Sequence, residues 1–208
     1  SDVITGGRLV VPSLFDARQP VAPVGLGSMK ATKVTPDSFI TEPKPGQNSI
    51  PVIGVRPGLI LTFREEATLA SSERGLQPDL DADVIKVAVI ERHGKNGNIG
   101  RSFVTGFGLK RGAIASSVGH DSHNITVVGT NDADMAVAVN RLIDLGGGFA
   151  VADGGVVTAE LALPIAGLMS LKPFETVSHD LHILRDAALA LDCVLPEPFL
   201  QVAFLALP

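Results

Sequence analysis

Two imidazoles and a carboxylate lie within four residues of this chain, at His120, Asp121 and His123, inside the polar run 116–124. Side chains of these types bind transition metals or orient polar ligands. On an extended strand, Asp121 and His123 share one side and His120 faces the other, whereas a tight turn lets all three converge. Two histidines are fewer than the three protein ligands of an ordinary zinc site.

The same run also admits a structural interpretation. Asp121 and Ser122 are residue types that hydrogen-bond to nearby backbone groups and so shape loops. Because the run lies between two apolar segments, it is expected at a loop or strand end, where functional groups collect. Two hypotheses stay open: a polar loop, or a substrate pocket or interface with His120, Asp121 and His123 as a candidate metal-binding set. The pocket or interface would be formed by His120, Asp121, Ser122, His123 and Asn124.

A second candidate group, Glu91, Arg92 and His93, ends an apolar segment and precedes a loop rich in Gly and Asn. Charged residues in that position can face a substrate or an interface. The loop 94–101 matches neither the phosphate-binding nor the dinucleotide-binding glycine pattern, so a hairpin tip is expected there. No residue of the chain is predicted to be catalytic.

One more pair, His179 and His182, is spaced i, i+3 on a predicted helix. This spacing is compatible with metal binding, but an ordinary solvated helix face opposite the leucine stripe is the favoured interpretation.

The sequence signals for the strands and helices that must position these residues are strongest from residue 84 onward. Strands are predicted at 84–90, 103–109, 113–118 and 125–129, followed by a hairpin at 149–161. A helix is expected from the N-cap candidates Thr130, Asn131 and Asp132 to Leu145, before three glycines, and a second over 174–191. The pattern predicts an α/β (α+β) fold: a mixed, largely antiparallel sheet with helices packed on one face.

The first 83 residues differ from the rest of the chain in composition. A strand pair around Gly6 and Gly7 is predicted over 3–11, and most of the prolines follow within 12–58. Such a density of proline predicts an extended connector over 12–83, with an edge strand at 49–53 and a further strand at 59–63. Residues 84–208 are expected to form the main α/β domain.

Composition excludes several classes of protein. The net charge of −5, with no Trp or Tyr, argues against a nucleic-acid surface, and no apolar run approaches a membrane span. The single cysteine, Cys193, favours a reducing compartment, so a cytoplasmic location is expected. The absence of an initiator Met and the abrupt end after Pro208 lead us to expect a piece of a longer protein.

Several runs carry a family resemblance. The chain resembles the C-terminal domain of bacterial, amidohydrolase-type adenine deaminases almost continuously over 84–208, and loosely over 12–83. Residues 1–11 are similar to the last strand pair of the small β-domain that flanks an amidohydrolase barrel. The runs that carry the resemblance are Val89–Gly94, Gly106–Leu109, Ser117–Ile125, Leu163–Ser170, Leu195–Phe199 and Phe204–Pro208.

The resemblance implies the conversion of adenine and water to hypoxanthine and ammonia by a metal-activated water. The divalent ion, Mn or Fe with Zn as an alternative, would be bound mainly by a β/α barrel that this chain lacks. Its five histidines include no H-x-H pair of the kind the barrel supplies. The implied partners are adenine, the barrel of the same protein and further copies in a homo-oligomer, and the chain alone is expected to be inactive.

Three functions remain to be separated. The chain is an accessory domain that contributes residues near the barrel mouth, or a structural or oligomerisation module with no direct role at the active site. An independent small-molecule sensor is the third hypothesis, and the sequence offers little for it.

Overall fold

The computed structural model describes residues 2–16, 19, 21–46 and 49–206. Residues 1, 17, 18, 20, 47 and 48, which belong to the predicted N-terminal strand pair and connector, lie outside the described residues, as do Leu207 and Pro208 of the C-terminal run.

A short hairpin precedes the main body of the chain, as predicted. It pairs β1 (Ile4–Thr5) with β2 (Arg8–Leu9) around two glycines. Short 3-10 helices follow at Pro12–Phe15 and Pro36–Phe39. The other strands are β3 (Ile50–Gly54), β4 (Phe63–Ala67), β5 (Ser71–Ser72), β6 (Gly75–Leu76), β7 (Val84–Ile90), β8 (Ile99–Thr105), β9 (Ala113–Ser116), β10 (Ile125–Gly129), β11 (Gly148–Asp153) and β12 (Val156–Ala162).

Eight of these strands form one mixed sheet in the order β12-β11-β9-β10-β7-β8-β3-β4. Neighbours are antiparallel except β3 and β8, which run parallel. β7, β9 and β10 are almost wholly buried, which explains why they read as continuous apolar runs and not as alternating ones. The predicted mixed, largely antiparallel sheet is confirmed.

Three α-helices cover this sheet: α1 (Asp132–Leu145), α2 (Phe174–Leu189) and α3 (Pro198–Phe204). The side chain of Asn131 caps α1 by accepting from the N–H of Asp134 at 2.8 Å, and Gly146 ends it at a φ of 77°. Left-handed backbone of this kind strongly favours glycine. Both predicted ends of α1 are therefore confirmed.

The helices lie on both faces of the sheet, so the prediction of a single covered face is wrong in that respect. Val127 packs in one cluster with Met135 and Leu142 of α1, whereas Val128 packs in another with Leu184 of α2 and Val202 of α3. Because consecutive strand residues point to opposite faces, these clusters must lie on opposite sides. Cys193 is buried in the second cluster.

Local predictions failed at four strands. The strand predicted at 59–63 begins only at Phe63, because Gly54 pairs with Phe63 and the residues between them form the loop. β3 is not an edge strand, since it lies between β8 and β4. Its Pro51 pairs with β4 alone, which leaves the missing proline N–H without consequence.

The other errors concern the ends of strands, and β8 begins at Ile99 and not at the predicted Phe103. β8 ends at Thr105 because Gly106 and Gly108 turn the chain, and both donate backbone N–H bonds of 2.7 Å to the carboxylate of Asp83. β9 stops at Ser116, two residues before its predicted end. The α3 helix was not predicted. No helix that the structure describes combines the length and hydrophobicity of a bilayer span.

Candidate functional site

The predicted site residues gather at one end of the sheet. Ile90 ends β7 opposite Ile125, which begins β10, so the segments 91–98 and 117–124 emerge side by side. Ser116 ends β9 between β10 and β11, and Gly148 begins β11 opposite the end of β12. The topology thus brings together the two polar groups that sequence spacing left 23 or more residues apart.

Arg92 is the centre of this end of the sheet. It is only 2% exposed, although sequence analysis placed it facing a substrate or an interface. Its Nε donates to the carbonyl oxygen of His123, and its Nη2 donates to that of Ala166 at 2.9 Å. Its backbone N–H donates to Oδ1 of Asn124 at 3.3 Å, and its carbonyl accepts from the N–H of Lys30 at 2.8 Å.

The guanidinium of Arg92 is incompletely satisfied. Burial lowers its pKa from the usual value, and no carboxylate of the described residues acts on it. Within the same described part of the chain, only two buried side-chain polar atoms lack a hydrogen-bond partner, Nη1 of Arg92 and Oγ of Ser28. Buried polar groups are normally paired, so this Nη1 is an exception that requires an explanation.

The turn 119–124 is tight but does not bring its three candidate metal ligands together. His123 has a left-handed φ of 50°, and its Nδ1 accepts the backbone N–H of Gly119 at 3.2 Å. Asp121 accepts from the backbone N–H of Ser122, and this bond, opposed by partial desolvation, lowers the pKa of its carboxyl. His120 turns toward α3, with its ring 5.7 Å from that of Phe204.

His93 connects the two loops at the surface. Its Nε2 lies 2.8 Å from the carbonyl oxygen of Ser122. His93, His120, Asp121 and Ser122 are all exposed, whereas His123 and Asn124 are half-buried. The arrangement therefore offers an exposed set of imidazole, carboxylate and hydroxyl groups supported by the buried Arg92.

Glu91 organises its own loop. Its carboxylate accepts backbone N–H bonds from His93 at 2.5 Å, Lys95 at 3.0 Å, Asn96 at 3.3 Å and Gly97 at 3.2 Å. Desolvation raises the pKa of this carboxyl, but the four donors outweigh it and lower the pKa to about 2. The loop is an anion-binding nest of backbone N–H groups, occupied by the carboxylate of the chain itself.

Three residues at this end were missed by sequence analysis. Ser117 is fully buried, accepts the N–H of Gly148 at 2.7 Å and donates to the carbonyl of Gly167 at 2.7 Å. Gly167 has a φ of 72°, and a Cβ there would lie 2.7 Å from Nη1 of Arg92. Ala166 supplies a carbonyl acceptor. The local signal was the Ala166–Gly167 pair after a proline, which is typical of a turn.

Metal binding finds little support in the described residues. They contain no group of three or more His, Cys, Asp or Glu side chains placed to hold an ion. His179 and His182 lie on the exposed side of α2, where Nδ1 of His182 contacts the carbonyl of Ser178 at 2.6 Å. The site can donate and accept hydrogen bonds at the protein surface. The buried guanidinium of Arg92 links the loop 91–98 to the loop 117–124.

Comparisons with known proteins identify the family to which this domain belongs. Residues 59–208 match the family model described as the adenine deaminase C-terminal domain. The whole chain is 58% identical to adenine deaminase 1 of Agrobacterium fabrum, and 206 residues are 55% identical to adenine deaminase of Brucella anthropi. Adenine deaminase 1 of Rhizobium etli is 56% identical over 99% of the chain. The chain spans 36% of the length of each of these relatives.

Proposed function

Because the chain belongs to the adenine deaminase C-terminal domain family, we propose that it is the C-terminal part of an adenine deaminase. The longer protein would convert adenine and water to hypoxanthine and ammonia, with this domain accessory to a catalytic β/α barrel. The observation that carries the proposal is the 58% identity over all 208 residues to a protein of that name.

The divalent ion of the reaction is assigned to the rest of the longer protein. The described residues of this chain do not fit a metal centre, since His120, Asp121 and His123 do not converge and no other set of three does. Mn or Fe, with Zn as an alternative, remains part of the proposal for the barrel, and a cytoplasmic location is part of the same proposal.

Within this proposal, the exposed groups at the sheet end face the catalytic region. His93, His120, Asp121 and Ser122, together with the half-buried His123, supply donors and acceptors of the kind that contact a purine or close a pocket over it. Two sets of hydrogen bonds that hold these groups in place favour that role. The carboxylate of Glu91 binds backbone N–H groups of the loop 91–98, and the guanidinium of Arg92 binds the carbonyl of His123 in the turn 119–124. Rigid support of this kind allows hydrogen-bonding groups to meet a ligand without further ordering.

The test is the variant His123→Ala in the longer protein, with His182→Ala as the matched control on α2. A contribution to catalysis predicts a large fall in the rate of hypoxanthine formation for His123→Ala, with folding retained, and a normal rate for His182→Ala. Equal rates for both variants and the wild type would refute a role for this end of the sheet.

An alternative function, a structural or oligomerisation module, is favoured by a different observation. Met169 and Leu171, which precede α2, and Phe174, its first residue, are exposed large apolar residues, and Phe174 is 79% exposed. Neighbouring exposed apolar side chains commonly mark a protein contact. Under this alternative, Phe174→Ser changes the mass in solution or lowers the melting temperature, and His123→Ala leaves turnover unchanged.

A further inference from the structure

Arg92 is a buried charge that does not contribute an ion pair to stability. Charged side chains are almost never fully buried unless paired, and Arg92 is 2% exposed with no carboxylate partner among the described residues. One of its nitrogens, Nη1, lacks even a neutral partner. An apolar residue of similar volume would avoid burying this charge but would leave the carbonyls of His123 and Ala166 without their donor, so the contribution of the arginine is its hydrogen bonds to these two loops.

The two carbonyls that Arg92 binds both belong to residues with strained backbone. His123 has a φ of 50° and Ala166 a φ of 56°, and in the described residues only Asp83 and Asp192 share this feature among non-glycine residues. Left-handed backbone costs a non-glycine residue about 1–2 kcal/mol. Such strain persists where the surroundings hold it and is concentrated at functional sites. Nε of the guanidinium holds one of these strained residues and Nη2 holds the other.

The consequence of this clamp is a fixed orientation for the His123 ring. The strained φ of His123 directs its ring back to Gly119, whose N–H donates to Nδ1 at 3.2 Å. With Nδ1 occupied as an acceptor, the neutral ring carries its proton on Nε2 and presents an N–H donor. Asn124, bonded to the backbone N–H of Arg92, fixes the next residue of the same turn.

We infer that Arg92 is a positioning residue, which holds the turn 119–124 so that His123 acts as an Nε2–H hydrogen-bond donor. Arg92 does not itself contact substrate, because Gly167 lies against its free Nη1. The inference rests on the proposed function for its kinetic consequence. Its structural consequence, the tautomer and order of the turn, does not depend on which reaction the longer protein catalyses.

The test uses Arg92→Met and Arg92→Lys in the longer protein. The control is Arg111→Met, because Arg111 precedes β9 at the opposite end of the sheet and also donates to a backbone carbonyl, that of Ala190, although it is exposed and pairs with Asp153 at 2.9 Å. The measurements are kcat/KM for adenine, the melting temperature, hydrogen exchange of 119–124 and 164–168, and the ¹⁵N shifts of the His123 ring.

We expect Arg92→Met to remain folded, with a melting temperature lowered by the loss of two hydrogen bonds, and to lose about 100-fold in kcat/KM, as a misplacement of about 1 Å can cause. Exchange in both loops should accelerate, and the Nε2–H signature of His123 should be lost. Arg92→Lys should behave likewise, because a single ammonium cannot replace the planar fork. Arg111→Met should match the wild type.

Three results would overturn the inference. Arg92→Met could retain both the kinetics and the His123 signature, Arg92→Lys could restore them fully, or both variants could fail to fold, which would make Arg92 structural. If the wild-type longer protein does not deaminate adenine, the proposed function fails, and the exchange and ¹⁵N measurements still decide the role of Arg92.

Discussion

The Nε atom of Arg92 donates a hydrogen bond to the carbonyl oxygen of His123, so the second residue after β7 holds the turn that precedes β10. The other arm of the same guanidinium reaches Ala166, and its Nη1 lies against Gly167. One buried side chain therefore joins the polar run 119–124 to the segment after β12. Its position explains why the exposed groups of that run have a defined geometry.

The close approach of Gly167 to Arg92 predicts an unusually costly alanine substitution. Gly167→Ala places a methyl group 2.7 Å from Nη1, and the side chain cannot retreat without breaking its bond to Ala166. We expect a loss of about 3 kcal/mol in the free energy of unfolding, the sum of left-handed strain and overpacking. Urea denaturation measures it.

Gly154→Ala is the control for this prediction. Gly154 has a φ of 61° and no heavy atom within 4 Å of the added methyl group. Only the backbone cost of about 1–2 kcal/mol then applies. If Gly167→Ala were no more destabilising than Gly154→Ala, the tight contact at Arg92 would be contradicted.

A buried ion pair at the opposite end of the sheet makes a second prediction. Nζ of Lys86 lies 2.5 Å from Oδ1 of Asp132, and the two side chains are 4% and 10% exposed. Asp132→Asn removes one charge and leaves the other buried, so the free energy of unfolding should fall by about 3–5 kcal/mol. The double variant Lys86→Met/Asp132→Asn should recover much of this loss.

The exposed ion pair between Lys33 and Asp144, whose side chains are 53% and 49% exposed, is the control for this double-mutant comparison. Its coupling energy should be at most about 1 kcal/mol, because water screens it. Equal coupling energies for the two pairs in urea unfolding would show that Lys86 is less isolated from solvent than the structure indicates.

The Glu91 nest predicts a defined dependence of stability on pH. Because the folded-state pKa of this carboxyl is about 2, below its usual 4.5, its stabilising effect is fully present above pH 4.5 and is lost as the pH falls toward 2. The difference in melting temperature between the wild type and Glu91→Gln should therefore be largest near neutral pH. It should shrink steadily below pH 4.5.

Glu73→Gln is the charge-matched control, since Glu73 is exposed in the turn between β5 and β6. A difference for Glu91→Gln that stays constant down to pH 2, or that merely equals the difference for Glu73→Gln, would argue against the nest.

The parts of the fold that sequence predicted are those determined locally. β7 and β10 follow from β-branched runs, and α1 follows from the side chain of Asn131 at one end and Gly146 at the other. The parallel pairing of β3 with β8 was not predictable in this way, because a strand does not encode its partner. The α3 helix carried a usable signal, a proline at its first position followed by the buried Phe199 and Val202.

The candidate site was predicted in its residues but not in its roles. The polar run and the Glu91–Arg92–His93 group were identified from composition and spacing. Burial of Arg92 was missed because it depends on Ala166 and Gly167, which are more than 70 residues away and carry no functional side chain. Glu91 was expected to face a ligand, and its bonds to four backbone N–H groups became visible only in the folded loop.

The accessory role is tested most directly by an assay of the 208-residue chain alone for hypoxanthine and ammonia formation from adenine, with the longer protein as the positive control. We predict turnover by the longer protein and none above the uncatalysed rate by the chain, with or without added Mn or Fe. Ammonia release by the chain alone at an enzymatic rate would contradict an accessory role.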